Sequence, residues 1–427
     1  MKVEEVIMIL PKMYHVQHEF DGFEIKNLAE EIEKKIKALS VLTHGIKAGQ
    51  TVAVACSSRG IAEHATIVGA TVKCLKEAGL KPFIMPAMGS HGGGTAAGQR
   101  SVLEKAGITE EKMGVPIHSS MDTVEIGQTE DQIPVFLDKQ AAAADWIVPV
   151  NRIKSHTMFN GKTESGLIKM LSVGLGKRDG PDVYHKSAFN FGLEHVLQTV
   201  AQVVMQYKSV LFGVGVVENA YCRPAKIGVF ESAQLDLEEA KYLIESKALE
   251  PQLPLEDIDV LIVDEMGKDI SGAGIDCNVI GRLDMPLLGE NPTSPNIKRI
   301  IVRDLTEKSE GNAIGLGLAD IITERLFNKI DREAMNVNAL TASDPEHVKI
   351  PMTMVNDAEA IFAATSTIGM TPLEELKIVW IKNTKTLDKM IVSKPCVAVL
   401  SKLPGIIIDS EPFEVEFDDE DNMGTLT

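Results

Sequence analysis

The sequence contains little cysteine and lacks any paired cysteine motif. Its 427 residues include five cysteines, which are scattered: Cys56, Cys74, Cys222, Cys277 and Cys396. A disulfide scaffold or a structural zinc site would need closely spaced pairs such as Cys-x-x-Cys. We therefore predict reduced thiols and a cytoplasmic protein.

A surplus of basic residues is also missing, as are long apolar runs. Lysine and arginine number 43 against 61 aspartates and glutamates, which gives a formal net charge of -18. Because a nucleic acid would require a basic surface stripe, we expect no such partner, although a local pocket can still bind a small anion. No apolar stretch is long enough to span a bilayer, and the acidic residues 1–5 do not resemble a secretory signal. We therefore expect no membrane partner.

The sequence alternates strand-like apolar runs with amphipathic segments. Residues 51–55 form a β-branched run, and apolar residues at helical spacing follow from 61 to 78. The unit then repeats, with a strand at 81–88 and a helix at 96–106. This alternation predicts an α/β protein of two domains with mainly parallel sheets. A small β-rich insertion is expected at residues 115–140.

A proline-rich, acidic stretch at residues 250–257 marks the expected domain boundary. It predicts an N-terminal catalytic and cofactor-binding α/β domain at 1–256 and a C-terminal α/β domain at 257–427. The last residues of the chain could pack back on the first domain. In the C-terminal domain we expect a strand at 300–302 and a helix at 319–330.

Three predicted strands run into polar, glycine-punctuated turns that carry a histidine or an arginine. Ser58 and Arg59 follow the first strand, His91 follows the second, and His156 follows the third. In an open parallel sheet such turns collect at the carboxyl edge, where the ligand crevice lies. Two imidazoles facing one pocket would suit acid/base chemistry on opposite faces of a carbon atom. Solvent exposure or helix capping is the alternative for each loop histidine.

Two further side chains lie between the third and fourth strands. Lys169 is an amine in an apolar neighbourhood, which favours either a snorkelling lysine or a nucleophile with a lowered pKa. His185 is either a solvated histidine or a metal ligand, and any metal there would need most of its ligands from elsewhere or from a cofactor. The glycines at 174–180 and 161–163 match neither the Rossmann fingerprint nor the P-loop.

In order and approximate spacing, Arg59, the His91 turn, His156, Lys169 and His185 resemble the lactate racemase family. The resemblance covers the N-terminal domain best. It implies two α/β domains with the active site in the cleft between them. It also implies a nickel-pincer nucleotide, nickel pyridinium-3,5-bisthiocarboxylic acid mononucleotide, as the cofactor.

The resemblance assigns a role to each matching residue. It implies that Lys169 is joined covalently to the cofactor, that His185 binds the nickel, and that His91 and His156 are the catalytic acid/base pair. Arg59 would hold the substrate carboxylate in a bidentate fork. Ser58 belongs to a turn that could bind cofactor phosphate through backbone N–H groups.

In the second domain, residues 271–282 resemble the corresponding loop of the family with departures. The glutamine and lysine expected just beyond Asn278 are absent, and Gly281 and Asp284 stand at about those places. Arg282 could substitute as a substrate-binding cation. The departures point to altered substrate recognition, and the unusually polar residues 160–165 would suit a substrate larger or more polar than lactate, such as a dicarboxylic or sugar acid.

The implied function is a racemase or epimerase of a 2-hydroxy acid that works by reversible hydride transfer to the cofactor. Its partners would be the small-molecule substrate and the enzymes of cofactor biosynthesis, and the sequence does not predict an oligomeric state. Two alternatives stay open. One is a lyase or dehydratase on the same scaffold, and the other is a non-catalytic protein that binds a nucleotide-like ligand.

Overall fold

The computed structural model describes residues 10–58, 60–283, 285 and 291–426. Contacts divide these residues into two compact units. We call Asp21–Glu250 the N-terminal unit, and Pro251–Thr427 together with the described residues before Asp21 the C-terminal unit. None of the helices in the described part of the chain combines the length and apolar character that a bilayer crossing requires.

The described strands are β1 Met13–His18, β2 Thr51–Cys56, β3 Lys81–Pro86, β4 Thr123–Gln128, β5 Pro134–Asp138, β6 Trp146–Arg152, β7 Phe212–Glu218, β8 Pro224–Glu231, β9 Asp257–Met266, β10 Asn296–Leu305, β11 Ile321–Thr323, β12 Met352–Met354, β13 Ile378–Asn383, β14 Thr386–Ser393 and β15 Ile406–Ile408.

The described α-helices are α1 Leu28–Lys37, α2 Val41–His44, α3 His64–Glu77, α4 Ala96–Lys105, α5 Glu110–Met113, α6 Lys139–Ala143, α7 Leu167–Lys169, α8 Asp179–Phe191, α9 Leu193–Tyr207, α10 Leu235–Leu249, α11 Cys277–Ile280, α12 Glu324–Phe327, α13 Arg332–Ala342, α14 Asp357–Ser366 and α15 Lys394–Leu400.

The N-terminal unit contains a sheet with the strand order β3-β2-β6-β7-β8. The first four strands are parallel to their neighbours, and β8 runs antiparallel to β7. Strand β2 is buried on both faces, since Ala53 packs in one core cluster while Val52 and Val54 pack in another. Burial on both faces is typical of a parallel sheet covered by helices. The β-rich insertion is present as the hairpin β4-β5.

The C-terminal unit contains a sheet with the order β12-β11-β10-β9-β13-β14-β1-β15. Its strands are parallel from β12 to β13 and antiparallel from β14 to β15. The mainly parallel α/β architecture is thus confirmed. Strand β1 pairs with β14 and β15, whereas the sequence analysis grouped residues 1–256 together, because pairing partners so distant in the chain leave no local signal.

The segment expected to be a helix at residues 319–330 is different in the structure. It begins with β11, whose Ile321 and Ile322 pair in parallel with Ile301 and Val302 of β10. The short helix α12 follows, and the hydroxyl of Thr323 caps it by accepting the backbone N–H of Leu326 at 3.3 Å. Pairing with a buried neighbour therefore overrides the helical periodicity of this segment.

Candidate functional site

The turns after β3, β2 and β6 lie at one edge of the N-terminal sheet. Because the three strands are parallel neighbours with β2 in the centre, the His91 and His156 turns flank the turn that contains Ser58. The two flanking strands are two strand spacings apart, about 10 Å. Ser58 is partly buried. The predicted carboxylate-binding residue Arg59 lies outside the described residues.

His156 is buried, and both of its ring nitrogens have partners. Its Nδ1 accepts the backbone N–H of Met158 at 3.1 Å, and its Nε2 lies 2.6 Å from Nζ of Lys169. The ring of Phe159 packs against the imidazole, with the two ring centroids 4.8 Å apart. A histidine on the turn after β6 and a lysine at the end of α7 are therefore in direct contact.

The pKa of His156 is held well below its usual value, first because the ring is buried and then because positive groups surround it. Lys169, Lys154 and His185 each lower this pKa electrostatically. A neutral imidazole is therefore the stable form at neutral pH. His185 is thus close enough to His156 to act on it electrostatically.

Each ring nitrogen of His156 faces a different partner. In a neutral imidazole one nitrogen is a donor and the other is an acceptor. The backbone N–H of Met158 lies against Nδ1, and the amine of Lys169 lies against Nε2. A proton that the ring gains or loses at Nε2 therefore does so beside the amine of Lys169.

The backbone around Lys169 is anchored by a buried carboxylate of α10. Helix α7 begins at Leu167, and one oxygen of Glu239 accepts the backbone N–H groups of Leu167 at 2.7 Å and Ile168 at 3.0 Å. Burial raises the pKa of Glu239 to about 8. A Cβ atom at Gly166 would lie 2.3 Å from this carboxyl, so the close approach requires glycine. After Lys169 the chain continues as a π-helical turn at Met170–Gly174, a geometry frequent at functional sites.

A second buried carboxylate shapes the turn that carries His156. Glu164 accepts the backbone N–H of His156 at 2.7 Å and that of Gly161 at 2.9 Å, and it pairs with Lys247 at 2.6 Å. The sequence analysis named neither Glu164 nor Glu239. The polar run at residues 160–165 is a visible signal for the first, whereas the second lies far away in the chain.

His91 lies at the surface, in a turn built by glycines. It precedes a 3-10 turn at Gly92–Gly94, and its backbone carbonyl accepts from the buried amide of Gln99 at 3.2 Å. Gly92 has a positive φ of 66°, and a Cβ atom there would lie 2.7 Å from backbone atoms of α4. The turn is therefore held closely on the helix while the imidazole stays accessible.

His185 lies on α8, next to the fully buried Tyr184. Within the described residues, no group of three or more histidine, cysteine or acidic side chains is arranged to hold a metal ion. A metal bound by His185 would therefore need to bring its other ligands with it.

Arg282 is engaged in contacts within the C-terminal unit. Its guanidinium donates to the carbonyl of Leu318 at 2.7 Å and to the carboxylate of Asp320 at 2.6 Å. The same carboxylate accepts the backbone N–H of Ile300. Arg282 therefore fastens the segment after α11 to the start of β10, and its role in substrate binding stays a prediction.

Comparisons with known proteins support the architecture. Residues 55–232 match a family model described as "Domain of unknown function (DUF362)". The structure is similar to the lactate racemase apoprotein from Thermoanaerobacterium thermosaccharolyticum, with a TM-score of 0.51 and 13% sequence identity over 87% of this chain and 98% of that chain. A Thermotoga maritima structural genomics protein gives a TM-score of 0.47 and 15% identity over 85% and 97%. No curated protein matches the sequence. At 13% identity the likeness to the apoprotein shows a lactate racemase-like α/β fold.

Proposed function

We propose that the protein is a racemase or epimerase of a 2-hydroxy acid and that it carries a nickel-pincer nucleotide on Lys169. The observation that carries the proposal is the 2.6 Å contact between Nζ of Lys169 and Nε2 of His156, beside His185. An amine, a neutral imidazole and a second imidazole near it are what such a cofactor would need from the protein.

Each member of this cluster has a distinct task in the proposal. Lys169 would hold the nucleotide through a covalent bond to its amine, and His185 would supply one ligand to the metal. When bound, the group would supply an acceptor for the hydride of the substrate carbon. The polar turn at Ser58 supports phosphate binding by backbone N–H groups.

His91 and His156 would move the hydroxyl proton of the substrate. A general base must be neutral before it can accept a proton, and the lowered pKa of His156 keeps that ring neutral. His91 extends from the opposite flank of the sheet edge. Return of the hydride to the other face of a planar 2-keto acid, with a proton delivered to its oxygen by the opposite histidine, would invert the carbon centre.

Attachment at Lys169 would also prepare His156 for this task. An acylated amine carries no positive charge, so attachment would remove the charge of Lys169 that lowers the pKa of His156. The imidazole would then be a stronger base toward the substrate hydroxyl. A protein that lacks the attachment would be held in the resting pair seen in the structure.

Intact mass spectrometry of protein produced together with cofactor-making enzymes tests the proposal. We expect a mass increase that peptide mapping assigns to Lys169, and its loss in Lys169→Arg. Lys162→Arg is the matched control, because Lys162 is exposed in the preceding loop. An unmodified wild-type protein after such co-production would reject the proposal.

Isotope labelling separates the proposed reaction from the alternatives. With deuterium on the α-carbon of chiral 2-hydroxy acids, including dicarboxylic and sugar acids, hydride return retains much of the label in the inverted product. A lyase or dehydratase that moves protons would wash the label into water. A non-catalytic protein would bind the ligand without turnover, and His91→Ala and His156→Ala would leave that binding intact.

A further inference from the structure

A buried lysine lies beneath the His91 turn and forms no part of the cluster described above. Lys177 is fully buried, and its backbone has a φ of 52°, a conformation that L side chains rarely adopt. It lies between Lys169 and His185 in the chain. An ammonium group in such a place needs a specific set of partners, because burying a charge without them is costly.

The Lys177 ammonium makes two hydrogen bonds and one ion pair. Nζ donates to the carbonyl of Pro86 at 2.5 Å and to Oε1 of Gln99 at 3.2 Å, and it pairs with the carboxylate of Asp138 at 3.1 Å. Burial lowers the pKa of Lys177, and the Asp138 carboxylate opposes this shift. Pro86 is the last residue of β3, so the charge lies directly under the strand end that leads to His91.

Gln99 connects Lys177 to the His91 turn. It is fully buried on α4, and its Nε2 donates to the carbonyl of Gly89 at 2.7 Å and to that of His91 at 3.2 Å. The side chain therefore bonds to Lys177 through its oxygen and to the turn through its nitrogen. The backbone N–H of Gly89 also donates to the carbonyl of Gly174, at 3.2 Å.

We propose that Lys177 and Gln99 are positioning residues that fix the His91 turn against the segment carrying Lys169 and His185. A buried ammonium and a buried amide connect the two segments, beside the backbone bond from Gly89 to Gly174. A hydrophobic pair could fill the same space in several relative positions of the two segments. The hydrogen bonds of these polar groups favour one position. The catalytic consequence rests on the proposed function, but the structural consequence does not.

Gln99→Glu is the sharpest test, because it keeps the oxygen that faces Lys177 and removes the donor to the turn. Glu104→Gln is the matched control, because it makes the reverse substitution at an exposed position of the same helix. We expect the backbone amides of residues 89–94 to exchange hydrogen about tenfold faster in Gln99→Glu, with a melting temperature lowered by no more than about 4 °C, and at the wild-type rate in Glu104→Gln. Unchanged exchange of these amides in a folded Gln99→Glu protein would overturn the proposal.

A second variant approaches the anchor from its other end. Lys177→Met combined with Asp138→Asn removes the buried charge pair together, so neither charge is left alone, and the amide introduced by Asp138→Asn keeps an oxygen for the N-terminus of α6. We expect the same faster exchange at residues 89–94. If Gln99→Glu does not fold, this double variant decides the question alone.

Activity of the cofactor-loaded protein adds a readout that a purely structural role would not move. We expect racemisation by Gln99→Glu to show kcat lowered about tenfold with KM within about twofold of wild type. An inactive loaded wild type would count against the proposed function and leave the exchange result standing. Normal exchange with normal kcat in both variants would reject the positioning role.

Discussion

A buried cation lies in each of the two units, and the two cations organise different parts of the chain. Lys177 in the N-terminal unit has one carboxylate, Asp138, and its other partners are an amide and a carbonyl. Arg303 in the C-terminal unit lies between two carboxylates, Asp264 and Asp357. The compact ammonium gathers acceptors around one point beneath a turn, whereas the planar guanidinium bonds outward along its edges.

Arg303 fastens the end of the chain to the sheet. Its guanidinium donates to the backbone carbonyls of Met423 at 2.5 Å and Gly424 at 2.8 Å, while Asp264 accepts the N–H of Leu426 at 2.7 Å. The indole N–H of Trp380 donates to Asp264 at 2.5 Å. Buried ions thus serve the geometry of a candidate site in one unit and the attachment of a terminal segment in the other.

The largest effect should come from breaking the cluster in the C-terminal unit. Arg303→Met leaves two buried carboxylates without their cation, so we expect the free energy of unfolding to fall by about 4 kcal/mol. Urea unfolding followed by the fluorescence of Trp380, in a Trp146→Phe background, measures it. The control Arg332→Met removes an exposed arginine and should cost no more than about 0.5 kcal/mol. Equal losses in the two variants would contradict the assignment.

Acid should destabilise the N-terminal unit through a buried histidine. Burial lowers the pKa of His64 to about 4, and its Nε2 has no hydrogen-bond partner among the described residues. His347 of the C-terminal unit is also buried but faces the Asp344 carboxylate at 3.1 Å. The unfolded state takes up a proton near pH 6.5 and the folded state does not, so stability falls as the pH drops from 6.5 to about 4, by roughly 3 kcal/mol in total.

His64→Leu should reduce the loss of unfolding free energy as the pH drops from 6.5 to about 4. Urea unfolding at about pH 7 and about pH 4.5, followed in peptides of the N-terminal unit by hydrogen exchange, gives the measurement. His195→Leu is the control, because His195 is exposed beside Asp131. The interpretation fails if both variants keep the wild-type pH dependence.

The smallest effects should come from helix caps, one in each unit. Thr95 caps α4 by accepting the N–H of Gly98 at 3.1 Å, and Asp331 caps α13 by accepting that of Ala334 at 3.0 Å. Alanine at either position should lower the free energy of unfolding by about 1 kcal/mol. Thr95→Ala should cost slightly more, because its hydroxyl also donates to the carbonyl of Gly92. Differential scanning calorimetry measures both losses of stability. A larger loss for Asp331→Ala than for Thr95→Ala would contradict the expected order.

Local patterns predicted the parts of the fold that depend on neighbouring residues. The alternation of strand and helix located β2, β3 and β6, and with them the turns that carry Ser58, His91 and His156. The contact of His156 with Lys169 also agrees with the sequence, since only a short loop separates them. The lowered pKa of His156 did not follow from the sequence, because it depends on how closely the unit packs around the ring.

The side chains that support the candidate site could not be predicted from the sequence, for a physical reason. Glu239 lies 71 residues from the Ile168 amide that it binds, and Lys177 bonds to a carbonyl 91 positions earlier. Contacts of this kind are set by how helices pack on the sheet, and neither period nor composition encodes them. Arg282 shows the converse, because a cation in a suggestive loop is already engaged by Asp320.

The placement of β1 between β14 and β15 makes the C-terminal unit discontinuous in sequence, with the N-terminal unit inserted into it. On a ribosome the inserted unit is complete while its host still lacks most of its strands. A fragment that starts at Pro251 would lack β1, the strand that pairs with both β14 and β15. Each of these two strands would then have an unpaired edge that can bind other strands. We therefore expect the fragment that starts at Pro251 to aggregate when it is produced alone. A fragment of residues 21–250 should stay soluble.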